Sequence, residues 1–403
     1  MKVLFVTWDG PQVTYLESLF IPIFANLIKD SISFQVLQFT WGDTERMASS
    51  LQACERAGIG YKAVPVWRRP LAVGALLTAL AGARHVKKAV QAHGIDVVMA
   101  RSTLPALATM LALRKSPCHM VMDADGLPLD ERVDFAAQSP SAWVHRFLRD
   151  VEAEAVRRAD VVLTRSSKAT EILHARAGAG TSIGKFHVVS NGRDVGLFKP
   201  ADAGEVPKLR CDLGLPAVAP LIVYAGSIGP QYCMDEMLQL FAFVHERRDD
   251  AHFLVLTGSP EAVPPALASY PKLLGSVTTR RVTAQDVPRY LACADLGLAL
   301  RESSFSMQAV APIKLGEYLL CGLPVVVTAG IGNTAALSFG AGLLLREMDE
   351  PALKAAADWF VDSVLPQRER YRASSREIGT SVFSLEASAA SYGIALRSIG
   401  CNP

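Results

Sequence analysis

The stretch that decides the fold reads Asp295-Leu-Gly-Leu-Ala-Leu-Arg-Glu-Ser-Ser-Phe-Ser-Met-Gln-Ala-Val-Ala-Pro-Ile-Lys-Leu-Gly-Glu-Tyr-Leu-Leu-Cys-Gly-Leu-Pro-Val-Val-Val-Thr328. Apolar runs at 296–300 and 325–328 predict two strands with a helix between them. Pro312 at the first helical position and Gly322 just past the last turn are the usual signals for the start and the end of a helix. The stretch therefore predicts a strand–helix–strand unit of an α/β protein.

The charged residues of this helix suggest a ligand. Lys314 lies in the first turn, where the helix dipole is positive and a cation is unfavourable. A bound phosphate would explain it, because phosphate oxygens accept hydrogen bonds from both the helix N–H groups and the ammonium. Glu317, three residues on, lies on the same face and could hold a ribose diol. The pattern predicts a nucleotide site; the alternative is a solvated Lys–Glu pair on a helix surface.

The rest of the chain alternates apolar strands with helical stretches. Continuous apolar strands joined by helices predict parallel sheets that are covered on both faces. The Pro-, Gly- and Ala-rich segment 201–220 predicts an interdomain linker. The predicted fold class is α/β, with two Rossmann-like, doubly wound parallel-sheet domains facing a cleft. The predicted strands are 2–7, 34–40, 61–66, 97–100, 119–123, 161–164 and 186–190 before the linker, and 221–225, 253–257, 277–280, 296–300, 325–328 and 342–345 after it.

Several predicted strands run directly into small or charged residues. Ligands of parallel α/β sheets bind beyond the carboxyl ends of the strands. Gly226, Ser227 and Gly258 follow strands of the second domain and are predicted to face the ligand, and Arg281 and Val282 are predicted to frame a nucleotide base. No G-x-G-x-x-G follows the first strand, which disfavours an ordinary NAD-binding dehydrogenase.

Two charged positions at strand ends of the first domain remain open. Arg101 is predicted either to bind a ligand phosphate or to form a structural salt bridge. Asp123-x-Asp125 is a D-x-D string, for which we weigh metal binding, contact of Asp125 with a ligand, and loop capping. The eight histidines show no metal-ligand spacing, so no metal site is predicted.

Composition and charge limit which binding partners and cellular locations are expected. A net charge of +2 is too small to indicate nucleic acid, although residues 1–198 carry 23 Lys/Arg against 18 Asp/Glu. The apolar segment 71–83 is shorter than the ~20 residues that span a bilayer and is flanked by basic residues. It is either a helix lying on an anionic membrane or a half-buried helix with solvated ends, and the second is favoured. Seven cysteines without C-x-x-C indicate a reduced, cytoplasmic protein, with the cytoplasmic face of the inner membrane as the second predicted location.

Three motifs resemble a known family. Asn191-Gly-Arg193-Asp-x3-Phe198 is similar to an Asn-Gly-Val-Asp-x3-Phe signature, and Tyr224-Ala-Gly-Ser lies where that family has its first C-domain strand and glycine loop. Lys314-x-x-Glu317-Tyr-x-x-Cys-Gly-x-Pro-Val-Val resembles the family's donor-site helix. On these motifs most of the chain is similar to the GT-B-fold glycosyltransferases of family 4. The segments 123–132 and 7–10 resemble a bacterial subgroup linked to surface polysaccharides.

The resemblance implies a retaining, metal-independent hexosyl transfer from a UDP- or GDP-sugar to a glycan or lipid-linked acceptor, with no other cofactor. It implies an acceptor-binding domain at 1–198, joined by the C-terminal helix at 371–403, and a donor-binding domain at 199–370. Together with the strand-end pattern, it predicts the following site residues. The predicted catalytic residues are Asp125, Arg301, Lys314 and Glu317; the predicted donor-binding residues are Gly226, Ser227, Tyr232, Gly258, Arg281, Val282, Lys314 and Glu317.

The chain also departs from the family's pattern. Ala309 stands where the first of two glutamates is common, and Ser227 and Tyr232 stand where Arg and Lys are common. We therefore assign the diphosphate to Arg301 and Lys314. Asp125 corresponds to a histidine near the transferred sugar, so the resemblance implies that the ligand of Asp125 is a sugar or acceptor and that a phosphate at Arg101 would belong to an acceptor. The departures keep open a catalytically degenerate scaffold that binds a nucleotide sugar or a partner, and a less favoured epimerase or phosphorylase of the same fold.

Overall fold

The computed structural model describes residues 1–11, 13–69, 71–332, 334, 337 and 340–399. The chain divides into two compact units, Met1–Ser190 with Ser388–Pro403, and Asn191–Ala387. Both predicted domain boundaries, after residues 198 and 370, fall inside the second unit. The reason is local: the Arg193 N–H donates to the Phe383 carbonyl, 2.8 Å away, so both segments belong to one packed body.

The first unit is built on a seven-stranded parallel sheet in the order β3-β2-β1-β4-β5-β6-β7. Its inner strands are almost wholly buried, which is why they read as continuous apolar runs in the sequence. The strands are β1 (Lys2–Asp9), β2 (Ser33–Thr40), β3 (Gly60–Pro65), β4 (Val97–Arg101), β5 (His119–Asp123), β6 (Val161–Thr164) and β7 (Phe186–Val188).

Helices connect these strands, as parallel pairing requires. The first is preceded by a π-helical turn, Leu16–Phe20. The helices are α1 (Ile21–Lys29), α2 (Thr44–Arg56), α3 (Leu71–His93), α4 (Thr103–Ala112), α5 (Pro128–Phe135), α6 (Trp143–Arg158) and α7 (Ser167–Ala177).

The second unit repeats this design with a six-stranded parallel sheet in the order β10-β9-β8-β11-β12-β13. Buried apolar residues form a cluster on each face of the sheet, so both faces are covered by helices. The two predicted Rossmann-like parallel sheets are confirmed. The strands are β8 (Leu221–Ala225), β9 (His252–Leu256), β10 (Val277–Arg280), β11 (Leu296–Ala299), β12 (Val325–Thr328) and β13 (Gly342–Leu345), and the helices are α8 (Val206–Asp212), α9 (Met234–Arg247), α10 (Val263–Leu267), α11 (Val287–Ala292), α12 (Ile313–Leu320), α13 (Glu350–Trp359) and α14 (Arg368–Phe383), with α15 (Leu385–Arg397) leading back into the first unit.

The predicted linker at 201–220 is wrong in one respect, because it contains α8. Arg210 of this helix is buried, and its guanidinium donates to Asp295 Oδ2 at 2.8 Å and to the Cys293 carbonyl at 2.8 Å. A buried arginine needs such partners, and the ion pair fixes α8 to the second unit. Val206 and Leu209 of this short helix also pack against the apolar cluster of the second unit, but the surrounding Pro, Gly and Ala residues made the segment read as a linker.

Helix α12 packs closely against α14. The helix begins at Ile313, one residue later than predicted, because Pro312 is its cap residue with ψ 116°. Two glycines allow the close approach: a Cβ on Gly316 would lie 2.9 Å from Phe383 Cβ, and one on Gly379 would lie 2.7 Å from the backbone of Leu319. The helix that carries Lys314 and Glu317 is therefore held by backbone-to-backbone packing.

We expect Gly379→Ala to destabilise the second unit by about 1–3 kcal/mol, because the added methyl group overlaps rigid backbone atoms. Urea unfolding followed by tryptophan fluorescence measures the change. Gly275→Ala is the matched control, since a Cβ there meets no atom within 4 Å. Equal stability of the Gly379→Ala variant and the wild type would contradict the packing role of this glycine.

Candidate functional site

The amine of Lys314 is buried without a hydrogen-bond partner. Its Nζ atom lies 4.0 Å from the ring centre of Tyr224 and 4.8 Å from that of Tyr232, and it lacks an acceptor within the described part of the chain. Leaving a buried amine unpaired is costly. The alternative of a solvated Lys–Glu pair is therefore wrong for this helix: the amine is buried and makes no bond to Glu317.

Gly226 is the position that makes room for this amine. A Cβ on Gly226 would lie 2.6 Å from Lys314 Nζ and 3.2 Å from the hydroxyl of Tyr224. The glycine follows directly after β8, whose last residues are buried. Gly226 was predicted to face the ligand. In the structure it lets the loop approach the Lys314 side chain closely.

Arg301 places a second cation beside the same aromatic ring. Its guanidinium carbon lies 4.8 Å from the Tyr232 ring centre, and its Nη1 lies 3.6 Å from the sulfur of Met307. Its backbone N–H donates to Thr328 Oγ1 at the end of β12, 2.9 Å away. Tyr232 lies on a 3-10 turn, Pro230–Tyr232, and contacts both cations. The structure brings Gly226, Tyr232, Arg301 and Lys314 together.

The electrostatics of this group favour an anion. Burial lowers the pKa of the Lys314 ammonium well below its usual range; the charge of Arg301 lowers it further, whereas Glu317 opposes the shift. Lys314 lies in the first turn of α12 and Arg301 contacts the same tyrosine ring, so a negatively charged ligand that enters here would stabilise both side chains. Such a ligand would supply the acceptor that the Lys314 amine lacks.

Glu317 forms an ion pair with Arg193, a contact that the sequence motifs did not predict. Its Oε1 accepts a hydrogen bond from Arg193 Nε at 2.9 Å, and both side chains are largely buried. The pair connects α12 to the segment just after the chain enters the second unit. The only signal in the sequence was a charged residue in the signature at 191–198 where the similar family has valine.

The other predicted donor residues lie apart from these cations or contribute backbone. The carbonyl of Ser227 accepts a hydrogen bond from the Tyr224 hydroxyl, and Gly258 is exposed beyond β9. Arg281 is exposed, with its guanidinium 3.8 Å from a carboxylate oxygen of Glu261. Val282 packs at the edge of an apolar cluster. Their predicted roles stay predictions.

A cavity of 560 Å³ lies next to the glycine loop of the second unit. Carboxylates dominate its charged lining, which disfavours a diphosphate, and neither Lys314 nor Arg301 lines it. The lining residues include Ile228, Gly229, Pro230, Cys233, Asp235, Glu236 and Glu302. The cationic group around Lys314 is a separate feature.

In the first unit, the strand-end charges form a buried ion network. Arg101 Nη1 lies 3.2 Å from Asp9 Oδ1, its Nη2 pairs with Asp125, and Arg165 pairs with Asp123 at 2.8 Å. Burial raises the pKa of the Asp123 carboxyl, and the charge of Arg165 opposes that rise. Arg101 thus forms the structural salt bridge that we weighed against an acceptor-phosphate site.

Asp125 differs from its neighbours in exposure. Its side chain is 35% exposed, whereas those of Arg101 and Asp123 are almost fully buried. Its backbone is left-handed, with φ 50°, which is uncommon for a residue with a side chain. Arginines already neutralise both carboxylates of the D-x-D string. Within the described ranges, no group of three or more His, Cys, Asp or Glu is arranged to hold a metal ion.

Comparisons with known proteins agree with this architecture. The family described as a glycosyl transferase 4-like domain matches residues 32–192, and that described as glycosyl transferases group 1 matches residues 219–363. The D-inositol 3-phosphate glycosyltransferase of Jonesia denitrificans is 27% identical over 241 residues, which are 56% of this chain and 54% of that relative. The match thus spans about half the length of the relative.

Solved structures with low sequence identity share the fold. HepE of Anabaena, solved with UDP-glucose, has a TM-score of 0.71 at 17% identity and is covered over 100% of its chain by 99% of this one. WaaG, a glycosyltransferase involved in lipopolysaccharide biosynthesis, has a TM-score of 0.71 at 16% identity over the same shares. A glycosyltransferase from Rickettsia africae has a TM-score of 0.75 at 13% identity and full coverage of both chains.

Two doubly wound parallel sheets in one chain are the architecture of the GT-B fold, so the predicted fold class is confirmed. Family matches in both units then identify the family. The chain belongs to the GT-B glycosyltransferases and is of the family 4 type.

We expect Lys314→Met to stabilise the ligand-free protein by about 1–3 kcal/mol, because it removes a buried amine that has no hydrogen-bond partner. The same change should abolish the stabilisation that a nucleoside diphosphate gives. Thermal unfolding with and without UDP or GDP measures both effects, and Lys354→Met on the exposed face of α13 is the control.

The stability that Lys314→Met gains over the wild type should also depend on pH. The folded protein binds the Lys314 proton less tightly than the unfolded chain does, so wild-type stability rises as the pH rises towards the usual lysine value of 10.5. The advantage of the methionine variant should therefore shrink at high pH. A methionine variant that is less stable than the wild type at neutral pH would contradict this account of the site.

Proposed function

We propose that the protein transfers a hexosyl group, with retention of anomeric configuration, from a UDP- or GDP-sugar to a glycan or lipid-linked acceptor. The observation that carries the proposal is the buried, unpaired Lys314 amine beside Arg301 at the N-terminus of α12. A fold maintains such a costly arrangement when a ligand completes it. The nucleoside diphosphate of a sugar donor has the charge and the acceptor oxygens that complete it.

The reaction breaks the bond between the sugar and the diphosphate, so negative charge develops on the leaving phosphate. We assign stabilisation of that charge to Lys314, Arg301 and the N–H groups of the first turn of α12. These groups would balance the diphosphate without a metal ion. Because the lysine is buried, its interaction with the leaving group is stronger than it would be in water.

The rest of the donor falls to neighbouring residues. We assign the ribose hydroxyls to Glu317, which lies one turn after Lys314 on α12. Gly226, Ser227 and Gly258 would approach the donor through backbone, and Arg281 and Val282 would frame the base. HepE is solved with UDP-glucose, which supports a UDP-sugar as the donor.

We assign the acceptor to the first unit. Asp125 is the carboxylate just after β5 that remains partly exposed; its backbone is left-handed and its side chain pairs with Arg101. It can accept a hydrogen bond from an acceptor or sugar hydroxyl. The WaaG description names lipopolysaccharide biosynthesis, which supports an acceptor of the surface-polysaccharide type.

Helix α3 supports contact with a membrane surface. Val73, Leu77 and Leu80 are each about 45% exposed, and Arg84 and Lys87 continue the same stripe at helical spacing. Apolar residues with basic residues on one exposed face suit an anionic lipid surface. In the described residues no helix is long and apolar enough to cross a bilayer. We therefore propose a cytoplasmic protein that touches the inner membrane through α3.

A second candidate is a scaffold that binds a nucleotide sugar or a partner without turnover. Ala309 favours it, because this residue is fully buried in the 3-10 turn Ser306–Ala309 and brings no carboxylate to the donor sugar. The contact of Tyr232 with both cations also favours it, since the ring covers the groups that would meet the diphosphate. Binding without turnover separates this candidate from the transferase.

We expect one of the UDP-, GDP- and ADP-sugars in a thermal-shift screen to stabilise the protein, by about 2.7 kcal/mol at a hundredfold excess over its dissociation constant. Glu317→Gln and Lys314→Ala should weaken that binding, and Lys354→Met should not. NMR of the product sugar then tests turnover and retention. If no donor binds, the proposal fails; if a donor binds but no acceptor supports transfer, the scaffold is favoured.

We expect the protein to sediment with vesicles containing phosphatidylglycerol but not with pure phosphatidylcholine, and less so at high salt. Leu77→Glu with Leu80→Glu should reduce the bound fraction several-fold, because both changes place a negative charge on the exposed stripe. Leu274→Glu is the control, since that leucine is 63% exposed in the second unit. Unchanged binding of the double variant would rule out α3 as the membrane surface.

A further inference from the structure

We infer that Arg193 is a positioning residue for donor binding: it orients the Glu317 carboxylate for the ribose. The inference rests on the proposed function, because it takes Glu317 as the residue that binds the ribose hydroxyls. Arg193 lies outside the donor-site motif, and in the similar family its position in the signature is occupied by valine.

The backbone of Arg193 is fixed on both sides by a distant segment. Its N–H donates to the Phe383 carbonyl at 2.8 Å, and its carbonyl accepts from the Leu385 N–H at 3.0 Å. The residue also forms an isolated parallel bridge with Ser384. The side chain therefore starts from an anchored position.

Glu317 is held from the other side by helix packing. It lies on α12 next to Gly316, where a Cβ would be 2.9 Å from Phe383 Cβ. The residue that receives the Arg193 N–H bond thus also packs against the helix that carries the carboxylate. The hydrogen bond from Arg193 Nε to Glu317 Oε1, at 2.9 Å, joins these two anchored segments.

The chemistry of ribose recognition makes this bond matter. A glutamate side chain has three rotatable bonds, and binding a diol requires its oxygens in one orientation. A charge-assisted hydrogen bond from a largely buried arginine restricts that freedom before the ligand arrives. Without it the carboxylate would be present but poorly oriented, which costs ribose affinity and leaves contacts to the phosphates unchanged.

The test compares two pairs of ligands: UDP with 2′,3′-dideoxy-UDP, and GDP with 2′,3′-dideoxy-GDP, by calorimetry on the full chain. In the wild type, the natural diphosphate should bind more tightly than its dideoxy counterpart. Arg193→Met should weaken binding of the natural ligand about tenfold and leave the dideoxy ligand nearly unaffected. Arg193→Lys should restore part of the preference, since it keeps the charge but not the Nε geometry.

A structural control comes from Arg376. Its guanidinium donates to the carbonyls of Phe198 at 2.7 Å, Val195 at 3.0 Å and Leu320 at 2.5 Å, so it ties the same segment to the end of α12 and forms no ion pair with Glu317. Arg376→Met should lower stability and leave the preference for ribose unchanged. Combining Arg193→Met with Glu317→Gln should cost no more ribose preference than Glu317→Gln alone, because both changes remove one coupled interaction.

The outcomes separate the inference from the proposal beneath it. A folded Arg193→Met variant that keeps the full ribose preference overturns the positioning role, as does an equal loss of preference in Arg376→Met. A wild type that binds diphosphates without preferring ribose, or binds neither UDP nor GDP, overturns the assignment of Glu317 in the proposed function and this inference with it.

Discussion

The second unit contains a buried lysine amine that has no hydrogen-bond partner. The amine of Lys314 lies beside the rings of Tyr224 and Tyr232 and against Gly226, and the positive charge of Arg301 lowers its pKa further. Such an arrangement weakens the ligand-free fold. It becomes favourable when an anion binds, which is the usual relation between local instability and a binding site.

Two different devices place the two charges of α12. Packing positions Lys314: its amine occupies the room that a loop glycine leaves, and aromatic rings exclude water from it. Glu317 is placed by a bond, because Arg193 reaches it from a backbone that the Phe383–Leu385 segment anchors. Both depend on the position of α12 itself, which is fixed where its backbone meets Gly379 of α14. A site built in this way is set by packing before any ligand arrives.

The first unit treats charge in the opposite manner. Its strand-end carboxylates meet arginines within the unit: Asp9 and Asp125 share Arg101, and Asp123 pairs with Arg165. Only Asp125 keeps an exposed side chain. The contrast follows from the ligands proposed for the two units: a diphosphate needs unpaired positive charge, whereas an acceptor hydroxyl needs one accessible oxygen.

Most of the fold could be predicted, because continuous apolar strands and helical crossovers are local patterns that fix a parallel sheet. The sequence by itself determined the two sheets, the helix from 313 to 320 and the presence of Lys314, Glu317 and Arg301 on or near it. Only the tertiary structure decided that α8 belongs to the second unit, that Arg101 is a structural ion pair and that Glu317 meets Arg193. These contacts join residues that are far apart in the chain, as Arg193 and Glu317 are, and spacing carries no information about which distant charges will meet. Burial, which turns Lys314 from a surface lysine into an unpaired cation, is likewise a property of the packed molecule.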